Sequence, residues 1–221
     1  MIEKYIIACS KKWFINYQPK FVSHKNFIII TDKKKINLKN LKKINPKYIF
    51  FPHWSHIIKK EIYNNFFCIG FHSSDLPYGR GGSPIQNQII RKMKSTKLTS
   101  IKIDNSIDSG YWIHKTPLKL SGSIEDIFRD LSKIIKNQIV KILKNKIKLK
   151  KQTGKITKFK RLNMENSKLK THKNLENIFD QIRMVDSDEY PRAFIKIGKF
   201  KIEFSEAKNF KNKIICKTTI K

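Results

Sequence analysis

Phe71 to Asn87 reads FHSSDLPYGRGGSPIQN, and this stretch decides the fold. It follows an apolar run, Phe66 to Phe71, of the length and character of a buried strand, and it sets His72 at that strand's carboxyl end. A loop rich in Pro and Gly comes next, and then a helix start, with Pro84 in the first turn and Ile85 and Ile89 at helical spacing over Ser83 to Met93. Strand, glycine loop and helix in this order predict an open α/β sheet with ligands gathered at the carboxyl ends of its strands.

Working outward, Tyr5 to Cys9, Asn26 to Thr31 and Lys47 to Phe51 are further short apolar runs between polar or Pro-containing segments. Leu38 to Ile44 and Ser55 to Asn64 have room for helices, whereas the crossover through Lys11 to Lys25 is abbreviated. On the other side, Leu98 to Ile103 and Tyr111 to Leu118 are strand candidates flanking a polar turn. Ser123 and Asp126 form a capping pair for a helix whose apolar face is Ile124, Ile127, Phe128, Leu131, Ile134, Ile135, Ile139 and Ile142. The Lys-rich stretch Asn145 to Thr157 is the exit from this domain. Beyond it, Leu175 to Arg183 predicts a helix, and Ala193 to Ile197, Lys201 to Phe204 and Lys213 to Cys216 a small antiparallel set. The expected architecture is a Rossmann-like, mostly parallel open sheet with helices on both faces, followed by a small C-terminal α+β extension.

The formal charge of +31, from 48 Lys+Arg against 17 Asp+Glu, ordinarily nominates nucleic acid. Here the lysines come with an excess of Ile and Asn along the whole length, as an AT-rich coding sequence imposes. The charge is therefore read as a generally positive field that attracts anionic ligands, and nucleic acid is not expected as partner. Cys9, Cys68 and Cys216 are odd in number and sit in apolar stretches, so neither a disulfide nor a metal is expected. Met1 to Ser10 reads as a strand and no apolar run approaches membrane-spanning length, which predicts a cytoplasmic protein with no membrane partner.

On their own residues, the two informative clusters stay open. His72 can exchange a proton near neutral pH or serve as a satisfied structural histidine; Asp75, Leu76 and Pro77 can be turn chemistry alone. Gly79, Gly81 and Gly82 do not match a dinucleotide or P-loop spacing. Asp108 in the turn Ile107 to Gly110 can orient a histidine or simply make a turn.

Together, FHSSDLPYGRGGSPIQN and Asp108 in DSG, 36 positions after His72, resemble the folate-dependent formyltransferase family. That family pairs a strand-ending His with a loop of the LLPxYRGxxP type and a later D[AT]G turn. Leu76, Pro77, Arg80, Gly81 and Pro84 keep the loop pattern, and the resemblance spans Lys47 to Leu118. FFPHWS at Phe50 to Ser55 and IRMVDSDEYPRAF at Ile182 to Phe194 look like the short sugar N-formyltransferases, and the stretch beyond Thr157 looks too short for the tRNA-binding barrel of the methionyl-tRNA enzymes.

The resemblance implies residues 1–150 as catalytic domain and 151–221 as extension, with 10-formyltetrahydrofolate as cosubstrate. The acceptor it implies is a UDP- or TDP-linked amino sugar destined for surface glycans. His72 and Asp108 are then the catalytic pair. The donor meets Phe51, Trp54, Arg80, Gly81, Gly82, Ile103, Asp104 and Ile107, and the acceptor meets Lys11, Lys12, Ser74, Tyr78, Tyr190 and Arg192. Tyr190 to Phe194 can also make a homodimer contact or merely begin a strand. Gly70 stands where the family has an oxyanion-binding Asn, and His53 and Trp54 are the candidates to fill that space. The alternatives are formyl transfer to methionyl-tRNA or another amine, a basic nucleic-acid-binding protein built on Lys141 to Lys151, and a family member that binds without turnover.

Overall fold

A computed structural model describes residues 3–170 and 174–221. Its first strand is β1 (Tyr5–Cys9), so Met1 and Ile2 of the expected Met1 to Ser10 strand lie outside the described residues. Every residue of β1 is buried, as a strand covered on both faces requires. The crossover that follows is indeed abbreviated to two short helices, α1 (Trp13–Tyr17) and α2 (Pro19–Val22), before β2 (Phe27–Ile30). Helix α3 (Leu38–Ile44) begins where the Asn37 side chain accepts from the Asn40 N–H and stops at Asn45, whose φ of 51° is left-handed.

Strand β3 (Tyr48–His53) carries Phe50 and Phe51 into the core. The helix expected over Ser55 to Asn64 contracts to α4 (Lys60–Tyr63). The Ser55 N–H donates to the Ser10 hydroxyl at 2.7 Å and Trp54 lies edge-on to Phe51, which ties the chain to the end of β1 and β3 where a helix would have begun. Strand β4 (Cys68–His72) then delivers His72.

The loop after His72 holds β5 (Arg80–Gly81) and leads to α5 (Pro84–Ile90), β6 (Ser95–Lys102) and β7 (Trp112–Lys119). The sheet order is β2-β1-β3-β4-β6-β7. Pairing is parallel from β2 through β4, with Phe51 opposite Gly70, and turns antiparallel at β6, with His72 opposite Thr99. Helix α6 (Ile124–Lys144) starts at the expected capping pair, where Asp126 accepts from the N–H and hydroxyl of Ser123. Its apolar stripe is buried from Ile124 to Ile142.

After β8 (Lys158–Phe159) come α7 (Leu175–Arg183), β9 (Ala193–Ile197), β10 (Phe200–Phe210) and β11 (Lys213–Ile220). The last three form an antiparallel sheet in the order β11-β10-β9. Strands β10 and β11 outrun the expected segments because the ladder runs on through Ser205, Lys208 and Asn209 on one and Lys217 to Thr219 on the other, across a register shift between Ser205 and Lys208. The chain divides into two compact units: Met1–Arg80, Thr96–Leu118 and Phe128–Lys158 form one, and Gly81–Ser95, Lys119–Ile127 and Phe159–Lys221 the other. No helix among the described residues is long and apolar enough to cross a membrane.

Candidate active site

His72 is buried, and its two ring nitrogens meet two oxygens. Nδ1 lies 3.3 Å from Asp108 Oδ2, and Nε2 lies 2.7 Å from the Gly79 carbonyl. A neutral imidazole donates from one nitrogen only, so the tautomer decides which oxygen receives the bond. Asp108 reaches the ring from a turn in which its own φ is 52°, a left-handed conformation that Asp tolerates better than most residues. Two residues on, Gly110 is obligatory: a Cβ there would stand 1.7 Å from the Lys102 carbonyl. The Asp-Ser-Gly spelling of this turn is thus set by backbone geometry that aims a carboxylate at the histidine.

The loop from β4 is held by its own side chains. Ser74 is fully buried and its hydroxyl donates to the Tyr78 carbonyl at 2.6 Å, while Thr99 Oγ1 donates to the Ser74 carbonyl at 2.7 Å. Asp75 pairs with Lys115 at 2.6 Å and Lys97 at 2.9 Å. Burial pushes its carboxyl up, and the two ammonium groups more than offset this, leaving its pKa below the usual carboxylate value. Ser74, expected as an acceptor contact, is therefore committed to the loop.

Gln152 and Thr157, which sequence reasoning passed over as part of a Lys-rich exit, brace the site. Gln152 accepts from Arg80 Nη2 at 2.8 Å and from Arg80 Nε at 3.2 Å, and its own amide donates to the Asp108 and Gly110 carbonyls at 2.9 and 2.8 Å. One side chain thus joins the loop arginine to the catalytic-type turn. Thr157 Oγ1 accepts from the Gly79 N–H at 2.6 Å and its carbonyl from the Arg80 N–H at 3.0 Å. No spacing motif marks either residue; only the fold brings them there.

Around the turn, Asp104 accepts from the Ser109 hydroxyl at 2.7 Å, Ile103 packs on the cluster that contains Phe51, and Ile107 is 70% exposed. Phe51 itself is a core residue. Trp54 packs on it with ring centroids 5.6 Å apart and keeps a buried indole N–H that has no hydrogen-bond partner among the described residues. Trp54 thus sets an unanswered donor in the apolar cluster on which Ile103 also packs.

The space above Gly70 is apolar: the nearest atoms to a Cβ there are carbons of Ile103 and Ile101, at 3.4 to 3.6 Å. His53 turns its ring edge-on to Trp13, with centroids 6.0 Å apart. Neither His53 nor Trp54 supplies an atom among those nearest to Gly70. Lys11 is half-buried and Lys12 exposed, both at the corner between β1 and α1.

In the other unit, Gly81 has a φ of 106° and a Cβ on it would meet the Phe159 carbonyl at 2.5 Å; one on Gly82 would meet Arg161 Cβ at the same distance. Arg192 pairs with Asp186 and, at 2.7 Å, with Asp188. The hydroxyl of Tyr190 is raised above its usual pKa, chiefly by burial. Arg183 donates to Asp180 and to the carbonyls of Leu120 and Gly122.

A family model described as "Methionyl-tRNA formyltransferase, C-terminal domain" matches residues 164–221. A solved methionyl-tRNA formyltransferase from Clostridium thermocellum superposes with a TM-score of 0.94 at 47% identity, covering 99% of this chain and 98% of that one. A curated methionyl-tRNA formyltransferase from Thermodesulfovibrio yellowstonii is 29% identical over 193 residues, 84% of this chain. The chain spans 59% of that relative's length and 64% of a Clostridium botulinum one's. A sugar N-formyltransferase from a Shewanella species, at 16% identity and a TM-score of 0.69, shares the fold.

These relatives overturn the nucleotide-sugar expectation, and with it the expectation that nucleic acid is no partner. The phrases that suggested sugar enzymes answer to packing. Phe50 and Phe51 of FFPHWS are core, and Arg183, Asp186 and Arg192 of the tail phrase are bound to their own neighbours. The length argument fails too, because α7 and the β9 to β11 sheet fall within the matched C-terminal segment. With 47% of its residues identical along a solved relative that it covers almost end to end, this chain belongs to the formyltransferase family.

Proposed function

We propose that the chain transfers a formyl group from 10-formyltetrahydrofolate to the α-amino group of methionyl-tRNA. The observation that carries the chemistry is the approach of His72 Nδ1 to Asp108 Oδ2 at 3.3 Å. The acceptor rests on the 47% identity to a methionyl-tRNA formyltransferase and on the match of residues 164–221 to that enzyme's C-terminal-domain family. A cytoplasmic location accompanies this acceptor.

The donor supplies an activated formyl carbon. An amine attacks that carbon only when it is unprotonated; the new C–N bond forms, the bond to the carrier nitrogen breaks, and the amine's surplus proton ends on that nitrogen as tetrahydrofolate leaves. His72 is placed to accept that proton at Nε2, with Asp108 fixing the Nδ1–H tautomer and stabilising the cation that forms. Once protonated, the ring donates from both nitrogens, to Asp108 and to the Gly79 carbonyl that lies 2.7 Å from Nε2. Gly70 leaves no side-chain donor for the developing oxyanion, which falls to the imidazole or to a backbone N–H.

Competition decides the acceptor. With purified protein and 10-formyltetrahydrofolate, methionyl-tRNA and a panel of nucleotide-linked amino sugars are offered together and the products weighed. Formyl appearing on the aminoacyl-tRNA supports the assignment; formyl on a sugar alone rejects it.

A further inference from the structure

The start of β7, the last turns of α6 and the chain just after it enclose a groove of about 390 Å³. Its wall holds Lys115, Lys141, Lys146, Lys148 and Lys150 around the indole of Trp112, and no carboxylate. The Lys150 and Lys115 ammonium groups lie 4.8 and 5.5 Å from the Trp112 ring centroid. Lys115 is neutralised by Asp75, but Lys141, Lys146, Lys148 and Lys150 have no carboxylate partner among the described residues. His114, in the same wall, is held below the usual imidazole pKa by burial and then by the charge of Lys141. Folding gains nothing from such a concentration of like charge, so the groove is suited to an anion.

The groove is built onto the turn that carries Asp108. Trp112 and Lys150 exchange backbone hydrogen bonds in both directions, at 2.8 and 2.9 Å. Two residues further, Gln152 donates to the carbonyls of Asp108 and Gly110. The groove therefore shares its backbone with the segment that brings Gln152 to that turn. The lining offers single ammonium charges and no arginine fork, and its volume is that of a small-molecule site, which favours a thin chain of separate carboxylates over a nucleic-acid backbone.

The geometry points to a binding site for an oligo-γ-glutamyl tail on the folate donor, one carboxylate per added glutamate set against these lysines. This rests on the donor assigned above.

Steady-state KM values for mono- and pentaglutamyl 10-formyltetrahydrofolate are compared in the native protein and in Lys141→Gln/Lys146→Gln/Lys148→Gln. Dissociation constants for mono- and pentaglutamyl tetrahydrofolate are measured by calorimetry alongside. Exposed ion pairs of this kind together give roughly a tenfold preference for the longer tail. In the variant the preference falls toward one through weaker pentaglutamate binding. Equal affinities for the two tails in the native protein overturn the proposal. So does a variant that weakens methionyl-tRNA binding while keeping the tail preference, which makes the groove an RNA surface. If no transfer occurs from either donor, the enzymatic assignment fails, and the two dissociation constants still decide the tail.

Discussion

His72 sits between a carbonyl and a carboxylate, and a neutral ring can donate to only one of them. Donation from Nδ1 to Asp108 leaves the Nε2 lone pair facing the Gly79 carbonyl, an unfavourable meeting that uptake of a proton at Nε2 relieves. Asp108 makes its half of the pair from a left-handed φ of 52°. Replacing His72 by Ala or Asp108 by Asn is expected to lower kcat by about 10²- to 10⁴-fold. KM for either substrate changes far less. A parallel rise in KM with kcat preserved would assign both residues to binding. The imidazole and the carboxylate were legible as a pair only through the family resemblance, because each on its own reads equally well as ordinary structure. The Gly79 contact was not, since a carbonyl carries no residue signature.

The loop between β4 and β5 and the turn before β7 are separate elements, and Gln152 is what fastens Arg80 of the one to Asp108 of the other. Its removal costs several hydrogen bonds, each contributing about 0.5–1.5 kcal/mol, so Gln152→Ala should lower kcat/KM at least tenfold. Gln152→Glu keeps the acceptor for Arg80 but cannot donate to the turn, and kcat should stay low in it while melting temperature recovers. If both variants keep native kcat, Gln152 does not position the site. Asp75 fastens the same loop to Lys115 and Lys97. Its folded pKa is depressed, so its contribution to stability is complete above the unfolded value near ~4 and disappears as pH falls through the lower folded value. Melting curves from pH 6 to pH 2.5 should show Asp75→Asn less stable than the native protein at the upper end and converging with it below about pH 4. A constant difference across the range would exclude that linkage. Helix α3 followed from the room between two strand candidates and the face of α6 from its capping pair and periodicity, whereas the truncation of α4 depended on Ser55 finding Ser10, distant in sequence.

For the whole molecule, fold and reaction class were recoverable from local patterns, and the acceptor was not. Short phrases such as FFPHWS and IRMVDSDEYPRAF are shaped by burial and internal ion pairs, and so they do not mark the acceptor. Similarity along nearly the entire chain supports the proposed tRNA acceptor, with which a charge of +31 is compatible. The most direct measurement is the mass of the aminoacyl group released from methionyl-tRNA after incubation with the protein and 10-formyltetrahydrofolate. The expected result is methionine heavier by one formyl group, formed by the native protein and at least a hundredfold more slowly by the His72→Ala variant. Unmodified methionine from the native protein, or formylation that proceeds equally well without the histidine, would contradict it.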